Sequence, residues 1–375
     1  MLVVLHFYQL GYSPLQIAML FVFYEIFGVI TNLVGGWLGA QLGLNKTMNI
    51  GLAIQVIALA MLLIPVNLLA IPWVMTAQAL SGIAKDLNKM SSKSAIKLLV
   101  PNSDQGTLYK WVAILTGSKN ALKGVGFFLG GSMLTLFGFT AAIATMAVAL
   151  AFVWVCSLMM LERDLGKAKN KLQFSTIFSK SRAINFLSAA RLFLFAARDV
   201  WFVVALPVFL ANNLGWDHWS VSGFIAFWVI GYGIVQSIAP MITGTRSDRL
   251  PDGKMTFFWT LVLAFIPAII AFALMNDFNS NLILMIGLTF FGFLFAINSS
   301  LHSYLIVSYA NEDGVSLDIG FYYMANALGR LIGTVLSGWL FQVVGLEACL
   351  WVSSTFITIA TLMSFALPKQ HKDRV

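Results

Sequence analysis

Charged side chains are scarce in this sequence. Asp, Glu, Lys and Arg together make up 10% of its 375 residues, where a soluble globular chain carries about 25%. Hydrophobic residues make up 59% and the mean hydropathy is +0.86, which excludes a soluble enzyme, a disordered scaffold and a nucleic-acid-binding domain. Cysteine is almost absent: Cys156 and Cys349 lie far apart in apolar runs, so neither a disulfide framework nor a thiolate metal site is expected. Histidine occurs only singly, as His6, His218, His302 and His371. The sequence has no HExxH, no GxSxG, no P-loop and no dinucleotide fingerprint after a strand. Enzymatic activity, a bound cofactor or metal and ATP-driven pumping are therefore not expected.

Long apolar runs are what the chain does have. A helix of about 20 apolar residues crosses a hydrocarbon core roughly 30 Å thick. Eleven segments qualify, at 14–40, 49–69, 71–93, 107–137, 139–161, 184–211, 218–243, 255–276, 281–310, 317–343 and 346–367, with a shorter fragment at 1–9. An internal repeat orders them. Leu10-Gly11-Tyr12 returns 204 residues later as Leu214-Gly215-Trp216. Asn120-Ala121-Leu122-Lys123 with Gly126, Gly130 and Gly131 returns as Asn326-Ala327-Leu328 and Arg330 with Gly333, Ser337 and Gly338. Two parallel six-helix halves follow, the arrangement of major facilitator transporters. The expected architecture is thus an all-α integral membrane protein with an N-terminal transmembrane half at 1–161, a cytoplasmic linker at 162–183 and a C-terminal half at 184–375. By the repeat, Met1 falls inside the first helix, which is then N-terminally incomplete. An eleven-helix protein is the alternative.

Lys and Arg set the orientation. They fall in the connections after even-numbered helices and in the tail, with Lys46, Lys97, Lys110, the run from Arg163 to Arg182, Arg246, Arg249, Lys254, Lys369, Lys372 and Arg374. Both ends of the complete protein and the linker should face the cytoplasm, in the inner (plasma) membrane, where basic loops meet anionic lipid headgroups.

Ionisable groups within a span are costly to bury, so each one is a candidate for function. Lys119, Arg198 and Arg330 lie about 15 to 20 Å into their helices at 1.5 Å per residue, near the midplane. Lys123 follows Lys119 by one turn, Lys89 follows Lys85 by one turn, and Arg191 precedes Arg198 by two. Against these seven cations stand three deep acids, Glu25, Asp86 and Asp199. Ion pairs between helices account for part of the set, and the excess of cations points to an anionic substrate. Arg suits bidentate recognition of an oxyanion and Lys supplies a compact charge. The three acids are also the candidates for carrying a coupling proton. Lys93 and Lys97 continue the four-residue spacing and are expected at the cytoplasmic surface, with their heads in solvent. Asn120 and Asn298 are candidate polar contacts in a water-accessible cavity; Gln78, Ser81, Asn88, Gln236, Ser299 and Asn326 join them, although each alone is more often an interhelical hydrogen bond than a ligand contact.

Gly124, Gly126, Gly130 and Gly131 permit close helix approach and resemble the antiporter motif of helix five in major facilitator exporters, with Phe127 where that motif has proline. Gly244-x3-Asp248-Arg249 with Gly253-Lys254 resembles the cytoplasmic-loop signature of the same superfamily, which assigns Asp248 and Arg249 a gating role. Its first-half counterpart, Gly36-x3-Ala40-Gln41-x-Gly43, lacks the acid and the base.

Longer stretches carry a more specific resemblance. Met1 to Leu42, QALSGIAKDLNKMSSKSAIKLLVP at 78–101, GTLYKWVAILTGSKNALKGVGFFLGG at 106–131 and Phe178 to Leu210 resemble the ArsJ family of major facilitator organoarsenical efflux permeases. The resemblance implies export of 1-arseno-3-phosphoglycerate, which glyceraldehyde-3-phosphate dehydrogenase forms when it accepts arsenate in place of phosphate. That dehydrogenase is then a functional partner, and arsenate resistance is the outcome. The ester presents two oxyanion groups and no thiol-seeking centre. Two alternatives stay open: a facilitator for another organic anion such as a sugar phosphate or a drug, and a non-transporting membrane sensor.

Overall fold

The computed structural model describes residues 22–65, 68–101, 104–162, 165–168, 181–244, 250–276 and 278–368. Every regular element among them is a helix: α1 (Val22–Leu42), α2 (Leu44–Met61), α3 (Ile71–Leu99), α4 (Gln105–Met160), α5 (Arg182–Phe202), α6 (Ala205–Asn212), α7 (His218–Ile242), α8 (Gly253–Met275), α9 (Ser280–Tyr309), α10 (Val315–Val343) and α11 (Leu346–Phe365). The fold is all-α. Among the described residues seven helices are long and apolar enough to cross a membrane. α3 has the length, at 29 residues, but Lys85, Asp86, Lys89, Lys93 and Lys97 dilute its hydropathy.

Local chemistry sets the boundaries. Asp217 and Asp252 accept the backbone N–H of Ser220 and Met255 at 2.8 and 2.9 Å, capping α7 and α8. Asp104 does the same for Thr107 ahead of α4, and that bond holds its carboxyl below the ordinary value. Within α4, Gly138 at φ 73° and ψ 173° turns the chain between two arms, 105–137 and 139–160, at the boundary expected between two spans.

The segment expected as one span at 184–211 is one candidate span, Arg182–Asn212, and its helix is interrupted between α5 and α6. Pro207 has no N–H to offer Val203, four residues back. The N–H groups of Val204 and Ala205 turn to Ser337 Oγ at 3.3 and 3.1 Å, so these two donors at the break are satisfied in an apolar setting. Pro240 frees the Gln236 carbonyl in the same way, and Ser300 Oγ donates to it at 3.3 Å.

The chain forms two compact units. One holds the described residues of 1–99, 125–179 and 310–324, and the other those of 100–124, 180–309 and 325–375. In the first, α1 and α2 pack on α3. The start of the connection after α4 is pinned there: Leu44 N–H donates to Leu165 O at 2.8 Å, and Ala168 N–H donates to Ala40 O at 2.8 Å. In the second, α8 packs on α11 and α9, and α11 on α5. Its core centres on Trp201, which is fully buried and edge-on to Phe291 at 5.0 Å and Trp228 at 6.2 Å.

α8 shows the pattern of a lipid-facing helix. Phe258, Val262, Phe265, Ile269 and Phe272 are exposed, whereas Thr256, Thr260, Ala264, Pro267 and Ala271 are buried. Large apolar groups point outward and small or polar groups inward, because lipid replaces water as the solvent.

Candidate functional site

The charged face of α5 is built on a four-residue and a three-residue step. Arg191, Phe195 and Arg198 lie on one side, with both guanidinium carbons over the Phe195 ring at 4.0 and 4.9 Å. Asp199 is 1% exposed. Its Oδ1 accepts from Arg198 Nε at 2.6 Å and Nη2 at 2.5 Å, and its Oδ2 accepts from Arg330 Nε at 3.4 Å. One buried carboxylate is thus shared by two guanidiniums, and the three groups sum to one positive charge. Arg198 and Arg330 remain 16% and 28% exposed, so the acid is sealed and the bases are reachable. Gly333 on α10 allows this approach: a Cβ there would lie 2.7 Å from Ala196 O and 2.9 Å from Asp199 Cβ. Gly333→Ala is therefore expected to shift Asp199 against its two arginines and lower transport about tenfold, the equivalent of about 1.4 kcal/mol. Initial rates in vesicles, normalised to inserted protein, check this.

Arg191 sits elsewhere in the same unit. It is 3% exposed and donates from Nε to Asn326 Oδ1 at 2.9 Å and from Nη1 to Ser299 Oγ at 3.1 Å. Gln236 Nε2 donates to the same Ser299 Oγ at 3.0 Å, and Asn120 Nδ2 donates to Gln236 Oε1 at 2.7 Å. The two asparagines of the sequence repeat, Asn120 and Asn326, are the ends of one hydrogen-bonded chain through Gln236, Ser299 and Arg191. Satisfied buried networks of this kind rigidify the helices they join. Asn298, fully buried, accepts from Thr260 Oγ1 at 2.7 Å and donates to Trp259 O and Leu294 O, so its amide ties α9 to α8.

A second cationic row runs along α3 in the other unit. Asp86 Oδ1 accepts from Lys89 Nζ at 2.8 Å, and Lys85 Nζ lies 3.9 Å from Oδ2. Gly28 lets α1 approach, since a Cβ there would meet Asp86 Oδ2 at 3.1 Å. Lys93 and Lys97 are not at the surface as expected. They are 2% and 8% exposed, because α10 covers this part of α3 with the Tyr323 ring, 5.3 Å from Lys93 Nζ.

Lys119 and Lys123 are exposed on the 105–137 arm of α4. At 100° per residue Lys119 stands on the face opposite Gly117, and Lys123 lies about 100–120° round the helix from Gly117 and Gly124, which pack against α7. The side chain of Glu25 lies outside the described residues, as do Asp248 and Arg249. Among the described residues no group of three His, Cys, Asp or Glu comes together.

The sequence reading expected close approach at Gly124, Gly126, Gly130 and Gly131. Gly124 meets Ile230 and Ala226 of α7, but Gly126 has nothing within 4 Å of an added Cβ. The tighter crossing, Gly117 on Gly233, was missed: neither glycine stands in a motif, and only the pairing of α4 with α7 brings them together.

By sequence the chain matches the model of the Major Facilitator Superfamily over residues 1–231 and 187–375. The chain belongs to this superfamily. It is a multi-pass membrane transporter of the major facilitator fold. No curated protein matches it by sequence. Among solved structures, the human organic anion transporter MFSD10 (TETRAN) is similar with a TM-score of 0.72 at 16% identity, over 91% of this chain and 82% of that one. The proton:xylose symporter XylE, bound to 6-bromo-6-deoxy-D-glucose, gives a TM-score of 0.74 at 13% identity, over 92% and 85%. The E. coli fucose:proton symporter FucP gives 0.70 at 14%, over 96% and 92%. At these identities the likeness is one of fold.

Proposed function

We propose that this major facilitator transporter exports an anionic organoarsenical ester, 1-arseno-3-phosphoglycerate, across the inner membrane by alternating access, with both ends of the complete protein on the cytoplasmic side. The carrying observation is the pair of reachable guanidiniums, Arg198 and Arg330, held on the single buried carboxylate of Asp199. An oxyanion arriving at the exposed edges of the two arginines meets fixed donors and one unit of excess positive charge in a setting of low dielectric. It competes first for Arg330, whose bond to Asp199 is the longer at 3.4 Å. Asp199 then either keeps Arg198 or takes up a proton, which makes it a candidate for coupling; Glu25 and Asp86 are the others. Lys119 and Lys123 extend the set, because exposed ammonium groups within a span need a water-filled cavity. Asp248 and Arg249 are assigned to gating by their motif alone.

The resemblance to the ArsJ permeases supplies the substrate. Glyceraldehyde-3-phosphate dehydrogenase is the partner that makes the ester. A second reading, export of another organic anion such as a sugar phosphate, is supported by the same arginine pair, which selects oxyanions without selecting arsenic.

Everted vesicles containing the protein are the test, supplied with arsenate, NAD, glyceraldehyde 3-phosphate and the dehydrogenase. Arsenic should accumulate only when the dehydrogenase is present. Normal insertion without accumulation would remove the arsenical reading, and competition by 3-phosphoglycerate would then test the other anion.

A further inference from the structure

The lysine row of α3 faces aromatic rings. Lys85 Nζ lies 3.9 Å from the centroid of Tyr24, Lys89 Nζ 4.1 Å from that of Tyr323, and Lys93 Nζ 5.3 Å from the same Tyr323 ring. Tyr323 is 4% exposed, so its ring faces these ammonium groups with little water between. The ring is carried by the first turns of α10, and residues 310–324 belong to the same compact unit as α1 and α3. That segment is seated closely. Ser316 Oγ donates to Gly36 O at 2.7 Å, and a Cβ on Gly320 would lie 2.8 Å from Gly36 Cα.

We propose that the α3 lysine row is a binding site for an organic phosphate, that the Tyr323 ring is its resting occupant, and that Tyr323 is the positioning residue whose displacement by the anion releases the start of α10. This rests on the anion-transport reading above. A ring offers a cation only its quadrupole, an attraction that falls off faster with distance than that between charges. A phosphate offers formal negative charge and several acceptor oxygens, and in a desolvated setting charge pairing gains most. Asp86 Oδ1 holds Lys89 and its Oδ2 lies near Lys85; the ring faces are neutral contacts of the same ammonium groups, and an anion can replace a ring without displacing a carboxylate. The ligand then binds α10-released protein better than α10-seated protein, as a ligand must if it is to shift a conformational equilibrium.

The test uses the full chain in nanodiscs with 3-phosphoglycerate as probe. Tyr323 is replaced by phenylalanine and by mono-, di- and trifluorophenylalanine, which keep the ring's volume while draining its quadrupole and so avoid the unfolding that Tyr323→Leu could cause. Hydrogen exchange of residues 315–324 and probe affinity are read together. In the unsubstituted protein the probe should raise exchange in that segment at least several-fold. Across the fluorinated series, referred to Tyr323→Phe, exchange without probe should rise stepwise and the apparent dissociation constant should fall stepwise. An affinity indifferent to fluorination, a segment indifferent to the probe, or no binding at all would each overturn the proposal. Vesicle uptake of the arsenical ester is scored separately, so loss of the substrate reading and loss of the ring-exchange site are distinguishable.

Discussion

Replacing Arg198 by alanine is expected to lower vesicle uptake of the arsenical ester about 100-fold with membrane abundance unchanged. Arg198 makes two bonds to Asp199 Oδ1, from Nε and Nη2. Its outward edge offers donors to a substrate oxyanion, bonds to a charged partner contribute about 1.5 kcal/mol or more each, and two of them, about 3 kcal/mol, are roughly two decades in rate or affinity. The change acts twice, since it removes a donor from the substrate's side and cancels the excess charge by leaving Asp199 matched to Arg330 alone. Arg330→Ala should have a similar effect, and so should Lys119→Ala if its exposed head lines the same aqueous path. Arg198→Lys should recover only part of the activity, because an ammonium cannot hold Asp199 and an oxyanion with one planar fork. Asp199→Asn is the counter-test. It leaves two guanidiniums sharing a site with no carboxylate between them, and breaking a buried pair in this way costs about 3–5 kcal/mol, so lower abundance as well as lower transport is expected. Uptake rates and quantitative blots of the same vesicles measure both. Full uptake in the Arg198, Arg330 and Lys119 alanine variants together would sink the cationic-site reading.

What the sequence made legible was what depends on period and sign. Helix limits follow apolar length, and the divide at Gly138 fell where two spans were expected, because only a break separates two twenty-residue runs. Asp199 beside Arg198 was visible as neighbours in the chain. Its second partner was not, because Arg330 is 131 residues away and reaches it only across the Gly333 crossing. The division of the long α5–α6 segment had a signal in Pro207, but a proline marks a lost donor without saying whether a neighbour will satisfy the freed backbone, and here Ser337 does. The error at Lys93 and Lys97 has a related cause. Position along α3 predicts depth, but burial there is decided by α10, which the spacing of lysines on α3 cannot report.

That same dependence on pairing makes two glycines of α4 respond to one substitution with opposite sign. Gly117→Ala would place a Cβ 2.5 Å from both Gly233 O and Ser237 N, and Gly233→Ala would place one 2.7 Å from Gly117 O. These obstacles are backbone atoms of α7 and α4, which cannot rotate aside, so the helices must separate until the contact is ordinary. Overpacking of this kind costs about 1–3 kcal/mol and at times more. In lipid it also forfeits the close van der Waals packing that small residues provide in place of a hydrophobic drive. The separation would stretch the Asn120–Gln236 bond, now 2.7 Å, and with it the chain that ends on Arg191 and Asn326. Gly126→Ala meets nothing within 4 Å and gains about 0.5–1 kcal/mol in helix propensity. Thermal unfolding in detergent should therefore show Gly117→Ala and Gly233→Ala well below the parent protein and Gly126→Ala at or above it. Equal midpoints for Gly117→Ala and Gly126→Ala would mean that α4 and α7 do not cross at Gly117 in the membrane.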